Sequence, residues 1–205
     1  TRHLDKGAFA IIGEVVSKSA AAVAEASVSD GIPVITPTGT MPSITPGKDN
    51  VFRQCFTDSY QGEVLARYVA NELGAKTVGV VFNTSDDYSS GVKDAFVEEA
   101  KAIGIEIVGE EGYGGQDTDF KPQLTKMVSS NPDVLLIPDY YKNVALIASQ
   151  AREVGLNSIF VGPDGWDGVL SSIDDSNKEA VEGAYFSNHF SVKDRKENVS
   201  NFVSN

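Results

Sequence analysis

The chain has 205 residues, 41% of them hydrophobic, enough for one large core or two small ones. Its formal net charge of −12, from 17 basic and 29 acidic side chains, repels nucleic acid and anionic membrane and argues against both as partners. No apolar run approaches the roughly 20 residues of a membrane-spanning helix, and Cys55, the only cysteine, cannot form an internal disulfide and is expected in a core.

In chain order, a strand is predicted at 9–12, then an Ala-rich helix that Ser17 and Ser19 begin, then a strand at 32–35. Residues 36–49 hold Pro37, Pro42 and Pro46 among threonines and glycines and read as a long structured loop. Residues 51–60 read as a short strand followed by Thr57-Asp58, a helix start signal, and as a crossing between two domains. A helix at 61–73 carries Val64, Leu65, Tyr68, Val69 and Leu73 on one face and stops at Gly74. Strands at 77–82, 105–108, 134–137 and 159–161 then alternate with helices marked by Val92, Phe96 and Ile103, by Phe120, Leu124 and Met127, and by Val144, Ile147, Ala148 and Ala151. The strands are short, unbroken and rich in Val and Ile, as strands buried on both faces are.

This order predicts an α/β fold with doubly wound parallel sheets. A second crossing is expected near 185–189. The division that follows is 1–58 as part of a first lobe, 59–187 as a complete second lobe, and 188–205 as a segment returning to the first. The first segment offers only two clear strands and one helix, too few to cover a sheet on both faces. It is therefore expected to leave apolar surface bare and to favour self-association.

In open α/β sheets, ligands bind beyond the carboxyl ends of the strands. In the first segment those positions hold hydroxyls: Ser17, Ser19, Thr36, Thr38 and Thr40. In the second they hold carboxylates and aromatics: Asp86, Asp87 and Tyr88, then Asp139, Tyr140 and Tyr141, then Asp164 and Trp166. Hydroxyls at a helix N-terminus suit a carboxylate, an aspartate suits an ammonium, and Tyr and Trp can wall an aliphatic group, so the division fits a zwitterion. Each residue also has a plainer structural reading. Ser17 and Ser19 can cap a helix, Asp86 and Asp87 can cap or face solvent, and Asp164 within Gly162-Pro163-Asp164-Gly165 can simply make a turn.

Several motifs resemble the periplasmic leucine/isoleucine/valine-binding protein family. They are Ile12-Gly13 with Ser17, Gly31-Ile32-Pro33-Val34-Ile35-Thr36-Pro37 with Thr40, Phe52-Arg53 leading to Asp58 and Gln61-Gly62, Asp119-Phe120, Ala151-Arg152 with Gly155, and Gly162-Pro163-Asp164-Gly165. The resemblance covers nearly the whole chain and implies a two-lobed type I periplasmic-binding fold with a first lobe incomplete here, since members extend further at both ends. By position it implies that Ser17 and Thr40 hold a ligand α-carboxylate and that Thr38 meets the ligand through its backbone. Tyr88 and Tyr140 close on the ligand from the second lobe, and Asp164 pairs with the α-ammonium. Glu is usual at the position of Asp164, so the arm is one methylene shorter here, and Trp166 is expected to fill the space released. Val16 stands where the family can have a disulfide cysteine.

The resulting expectation is an extracytoplasmic solute-binding protein, in the periplasm or at the cell surface as a lipoprotein, that delivers a branched-chain or other neutral aliphatic amino acid to an ABC transporter permease. The alternative is a sensory receptor domain of the same fold with a signalling partner. An enzyme is disfavoured. GxGxxG, P-loop, GxSxG and metal-ligand spacings are absent, so no cofactor is expected, and His3 and His189 show no partner for acid–base work in the sequence.

Overall fold

The structure is a computed structural model and describes residues 7–204; Thr1 and His3 lie outside them. Two all-parallel sheets organise the chain: three strands in the order β1-β2-β3, then five in the order β5-β4-β6-β7-β8.

The first sheet is built from β1 (Ile11–Ile12), β2 (Val34–Thr36) and β3 (Val51–Arg53), with helix α1 (Ser17–Val28) after β1. Strand side chains alternate between faces. Val34 and Val51 therefore point to one side, where Ala20 and Ala24 of α1 and Ile44 of a short 3-10 turn bury them. Ile12, Ile35 and Phe52 point to the other, paired in register across the three strands and 82%, 42% and 54% exposed. The expectation of a bare apolar face is thus met at named residues. The loop after β2 is ordered by Arg53, whose guanidinium donates to the carbonyls of Gly39, Met41 and Pro42 and to the Thr45 hydroxyl.

The second sheet alternates strictly with helices: α2 (Asp58–Asn71), β4 (Thr77–Asn83), α3 (Asp87–Ala102), β5 (Glu106–Tyr113), α4 (Lys121–Ser130), β6 (Val134–Leu136), α5 (Tyr141–Glu153), β7 (Ile159–Gly162), α6 (Val169–Ser172) and β8 (Tyr185–Phe186). One face packs Val78, Val80 and Leu136 against α2 and α3 through Leu65, Val69 and Phe96. The opposite face packs Val81, Leu135 and Phe160 against α4 and α5 through Leu124, Ile147 and Ala148. Both faces are covered, which is why the strands read as unbroken apolar runs. Gly62 sits where α2 crosses α3, and a Cβ there would come within 2.7 Å of the Phe96 backbone nitrogen. A short helix, α7 (Glu197–Ser204), follows with no buried residue.

Two elements differ from expectation. β5 runs to Tyr113, well past the apolar stretch 105–108, because it is an edge strand whose Glu110 and Gly112 need no apolar partner on their exposed side. Tyr185 and Phe186, at the start of the stretch 185–189 expected to hold a crossing, extend the second sheet by pairing with Val161 and Gly162, so the chain leaves that sheet only after them.

Candidate functional site

A cavity of about 250 Å³ lies between the loops that leave the two sheets. From the first side come Val15, Val16, Ser17, Thr38 and Thr40; from the second come Tyr88, Tyr140, Tyr141, Asp164 and His189. Ser17, Thr38, Thr40, Tyr88, Tyr140 and Asp164, which the sequence places after five separate strands, are brought together here.

The first side presents hydroxyls and a helix start. Val16 is the N-cap of α1 and has no side-chain oxygen to offer, and the Ser17 backbone amide that follows it faces the Tyr140 hydroxyl across the cavity. Ser17 is therefore not a cap. Its hydroxyl accepts from the Met41 amide at 3.3 Å and lies 3.5 Å from the Thr40 hydroxyl. The Thr38 hydroxyl is committed to the Val15 carbonyl at 2.9 Å, which fixes the loop and leaves that residue's backbone to line the cavity.

The second side carries one inward carboxylate. Asp164 Oδ1 accepts from the Tyr88 hydroxyl at 2.8 Å, and that hydroxyl in turn accepts from the Gly165 amide at 2.9 Å. The approach requires glycine: a Cβ on residue 165 would stand 2.9 Å from the Tyr88 oxygen and 3.1 Å from the Tyr140 ring. The Tyr88 and Tyr140 rings stack at 4.7 Å. Burial, reinforced by the Asp164 carboxylate, pushes the Tyr88 phenol well above its usual range, so it acts only as a neutral hydrogen-bonding group. Burial and the Asp86 carboxylate raise Tyr140 likewise.

Trp166 does not reach the cavity. It is 1% exposed and donates its indole N–H to the Ile137 carbonyl at 2.8 Å, so it belongs to the core beneath the turn that bears Asp164. A large ring with one polar atom is satisfied better there than in a ligand wall. Asp86 caps α3 by accepting from the Tyr88 and Ser89 amides, and Asp139 is filled by the Tyr113 hydroxyl, the Asn143 amide and the Tyr140 backbone.

Sequence reasoning missed two residues at the site. His189, which has no partner visible in the sequence, sits with Nε2 3.1 Å from Asp164 Oδ2 and its ring stacked 4.5 Å from Phe56. No spacing rule links positions 164 and 189; only the pairing of β8 with β7 brings them together. Asp58, the first residue of α2, stands beside the cavity and not in its lining; it is 1% exposed, and the Thr40 hydroxyl acts on its carboxyl without reaching hydrogen-bond geometry. Burial lifts its carboxyl to about 7, the Thr40 hydroxyl drawing it back and the Asp164 carboxylate adding to the rise. Cys55 is half-buried, and burial pushes its thiol up to about 11, which makes it an inert side chain.

Comparison with known proteins gives the same picture. The sequence profile of the family described as periplasmic binding protein matches residues 1–205. The Leu/Ile/Val-binding protein BraC3 of Rhizobium johnstonii is 33% identical over 156 residues, which is 76% of this chain and 42% of that protein. The crystal structure of leucine binding protein LivK from Thermotoga maritima superposes with a TM-score of 0.92 at 34% identity, covering 99% of this chain and 58% of that one. The branched-chain amino acid transporter substrate binding protein LivJ from Streptococcus pneumoniae, solved in complex with isoleucine, superposes at 0.81 with 32% identity, covering 89% of this chain and 51% of that one. The chain thus spans about half the length of the relatives it matches. These relatives are solute-binding proteins and not enzymes. A profile match along the full sequence, a shared two-sheet architecture and a cleft between the strand ends lead to one conclusion: the chain belongs to the periplasmic binding protein family.

Proposed function

We propose that this chain carries the ligand cleft of an extracytoplasmic solute-binding protein, which holds a neutral aliphatic amino acid, branched-chain by preference, between two lobes and hands it to an ABC transporter permease. The observation that carries the reading is the division of charge across the cavity. The start of α1 and the Ser17 and Thr40 hydroxyls stand on one side, and the Asp164 carboxylate with two stacked tyrosines stands on the other. An α-carboxylate is matched by the first and an α-ammonium by the second. A cationic side chain is poorly served. Asp86 and Asp139 are occupied by protein donors, and Asp167 stands exposed at the rim. Among the described residues, no lysine or arginine lines the cavity to meet an acidic side chain.

The test is isothermal titration of the protein with leucine, valine and arginine in parallel. Leucine and valine are expected to bind and arginine not to; the reverse result removes the aliphatic reading. Asp164→Asn keeps the size and removes the charge. Breaking a buried, hydrogen-bonded charge pair costs about 2–5 kcal/mol, an affinity loss of roughly thirty- to several-thousand-fold. An Asn variant that binds like the parent ends the assignment of Asp164 to the ammonium.

A further inference from the structure

We propose that His189 is a positioning residue for the ammonium subsite: from the segment that leaves the second sheet, it donates Nε2–H to Asp164 Oδ2 and holds that carboxylate aimed into the cavity. The inference rests on the reading of the cleft as an amino-acid site.

An aspartate side chain has two torsions, and a carboxylate held at one oxygen can still swing about it. Asp164 is held at both. Tyr88 donates to Oδ1 at 2.8 Å and His189 stands 3.1 Å from Oδ2. An ionised carboxylate only accepts, so the facing imidazole nitrogen must carry the hydrogen. The ring is fixed in turn by its stack on Phe56, which lies on the segment joining the two sheets. The Asp164 backbone is pinned separately, its amide donating to Gln61 Oε1 at 2.8 Å, and that same oxygen accepts from the Ser187 hydroxyl at 2.6 Å. The segment after β8 therefore reaches Asp164 through both its side chain and its backbone. With one donor on each oxygen, each keeps a lone pair in reserve, and an ammonium can be met without first reorganising the acid.

The arrangement also makes a charge prediction. Histidine changes charge within the pH range 5 to 8 more readily than any other side chain. A neutral imidazole donates to Asp164 and leaves its negative charge for the ligand. An imidazolium makes the same hydrogen bond but cancels that charge and repels the ammonium, so ligand affinity falls as the ring takes up a proton. Among the described residues, the other ionisable groups around the pair are Tyr88 from α3, Tyr140 and Tyr141 at the start of α5, Asp167 after Trp166, and Cys55 and Asp58 where the chain passes from the first sheet to the second. Burial pushes the Asp58 carboxyl up to about 7, so the comparison of variants, and not the parent's profile alone, isolates the histidine.

The experiment is leucine titration by calorimetry at pH 5 and pH 8 with the parent, His189→Gln and His189→Ala, each checked for an unchanged melting transition. Loss of a hydrogen bond to a charged group predicts that His189→Ala binds about ten- to a hundredfold more weakly at pH 8. His189→Gln keeps a donor and is expected to recover most of that loss. It also lacks the part of the acid-side weakening that the parent owes to the imidazolium, so the ratio of affinities at the two pH values is smaller than in the parent. Should His189→Ala bind leucine as the parent does at pH 8, or should the pH ratios of parent and His189→Gln coincide, the assignment is overturned while the amino-acid site stands. Should the parent bind none of leucine, isoleucine and valine at either pH, the reading of the cleft falls, and this inference with it.

Discussion

The two sheets are made of the same kind of strand and differ in what covers them. In the five-stranded sheet, Val80 and Val81 are adjacent and point to opposite faces, yet both are fully buried, one among α2 and α3 and the other among α4 and α5. In the three-stranded sheet, Val34 and Ile35 are adjacent in the same way, and one is 1% exposed while the other is 42% exposed. The residues are equally apolar, so the difference comes from the number of helices available and not from the strands. One helix covers one face; a parallel sheet needs both. The cavity lies where these two sheets meet, and its acid and aromatics come from the side of the sheet that is covered on both faces.

That contrast can be broken most decisively in the covered sheet. Phe160 is fully buried, with the Arg152 guanidinium 3.8 Å from its ring centre. Phe160→Ala is expected to cost about 3–5 kcal/mol in urea denaturation; a loss below 1 kcal/mol would mean that the second sheet is no better packed than the first.

The seam between the halves supplies the next largest effect, through Asp58. Its carboxyl is raised in the folded state from 3.8 to about 7. A raised acid binds more protons folded than unfolded, so its contribution to stability is greatest below the unfolded value and falls as pH rises towards 7. The fall is at most roughly 4 kcal/mol, at about 1.4 kcal/mol per pH unit, less whatever water reaches the carboxyl. Asp58→Asn is uncharged throughout and is expected to flatten the slope between pH 4.5 and 8 and to exceed the parent in stability at pH 8. Parallel pH profiles of denaturation midpoint for the two would show that the group is solvated.

The smallest effect on stability belongs to the bare face. Ile35→Thr and Phe52→Ser each remove exposed apolar area and are expected to change stability by no more than about 0.5 kcal/mol. The pair should nonetheless lower any self-association seen by sedimentation velocity. A large destabilisation would mean that this face is covered in solution.

The sequence made the second sheet legible because burial on both sides writes unbroken Val/Ile runs that glycines punctuate at helix ends. It made β5 only half legible, since an edge strand carries glutamates and glycines that no periodicity distinguishes from a loop. The polar residues around the cavity stood out because each follows a strand, a position that fold class alone makes informative. Trp166 also follows a strand and was misassigned for that reason: whether a ring turns up into a cavity or down into a core depends on a hydrogen-bond acceptor, here the Ile137 carbonyl, that only the folded chain supplies. His189 failed in the opposite sense. Its partner lies 25 positions away on a neighbouring strand end, and a lone histidine in sequence carries no sign of it.

The close crossing at Gly62 has a mechanical consequence. With no side chain between them, α2 and α3 touch backbone to backbone, since even a Cβ on residue 62 would meet Phe96 N at 2.7 Å and Val92 O at 2.9 Å. α2 begins directly after the first connecting segment, and α3 begins with Tyr88 in its first turn. The two helices therefore behave as one body, and the Tyr88 hydroxyl is held at the cavity by that body. A bulkier residue at position 62 would push the helices apart and shift Tyr88 without altering any group that lines the cavity.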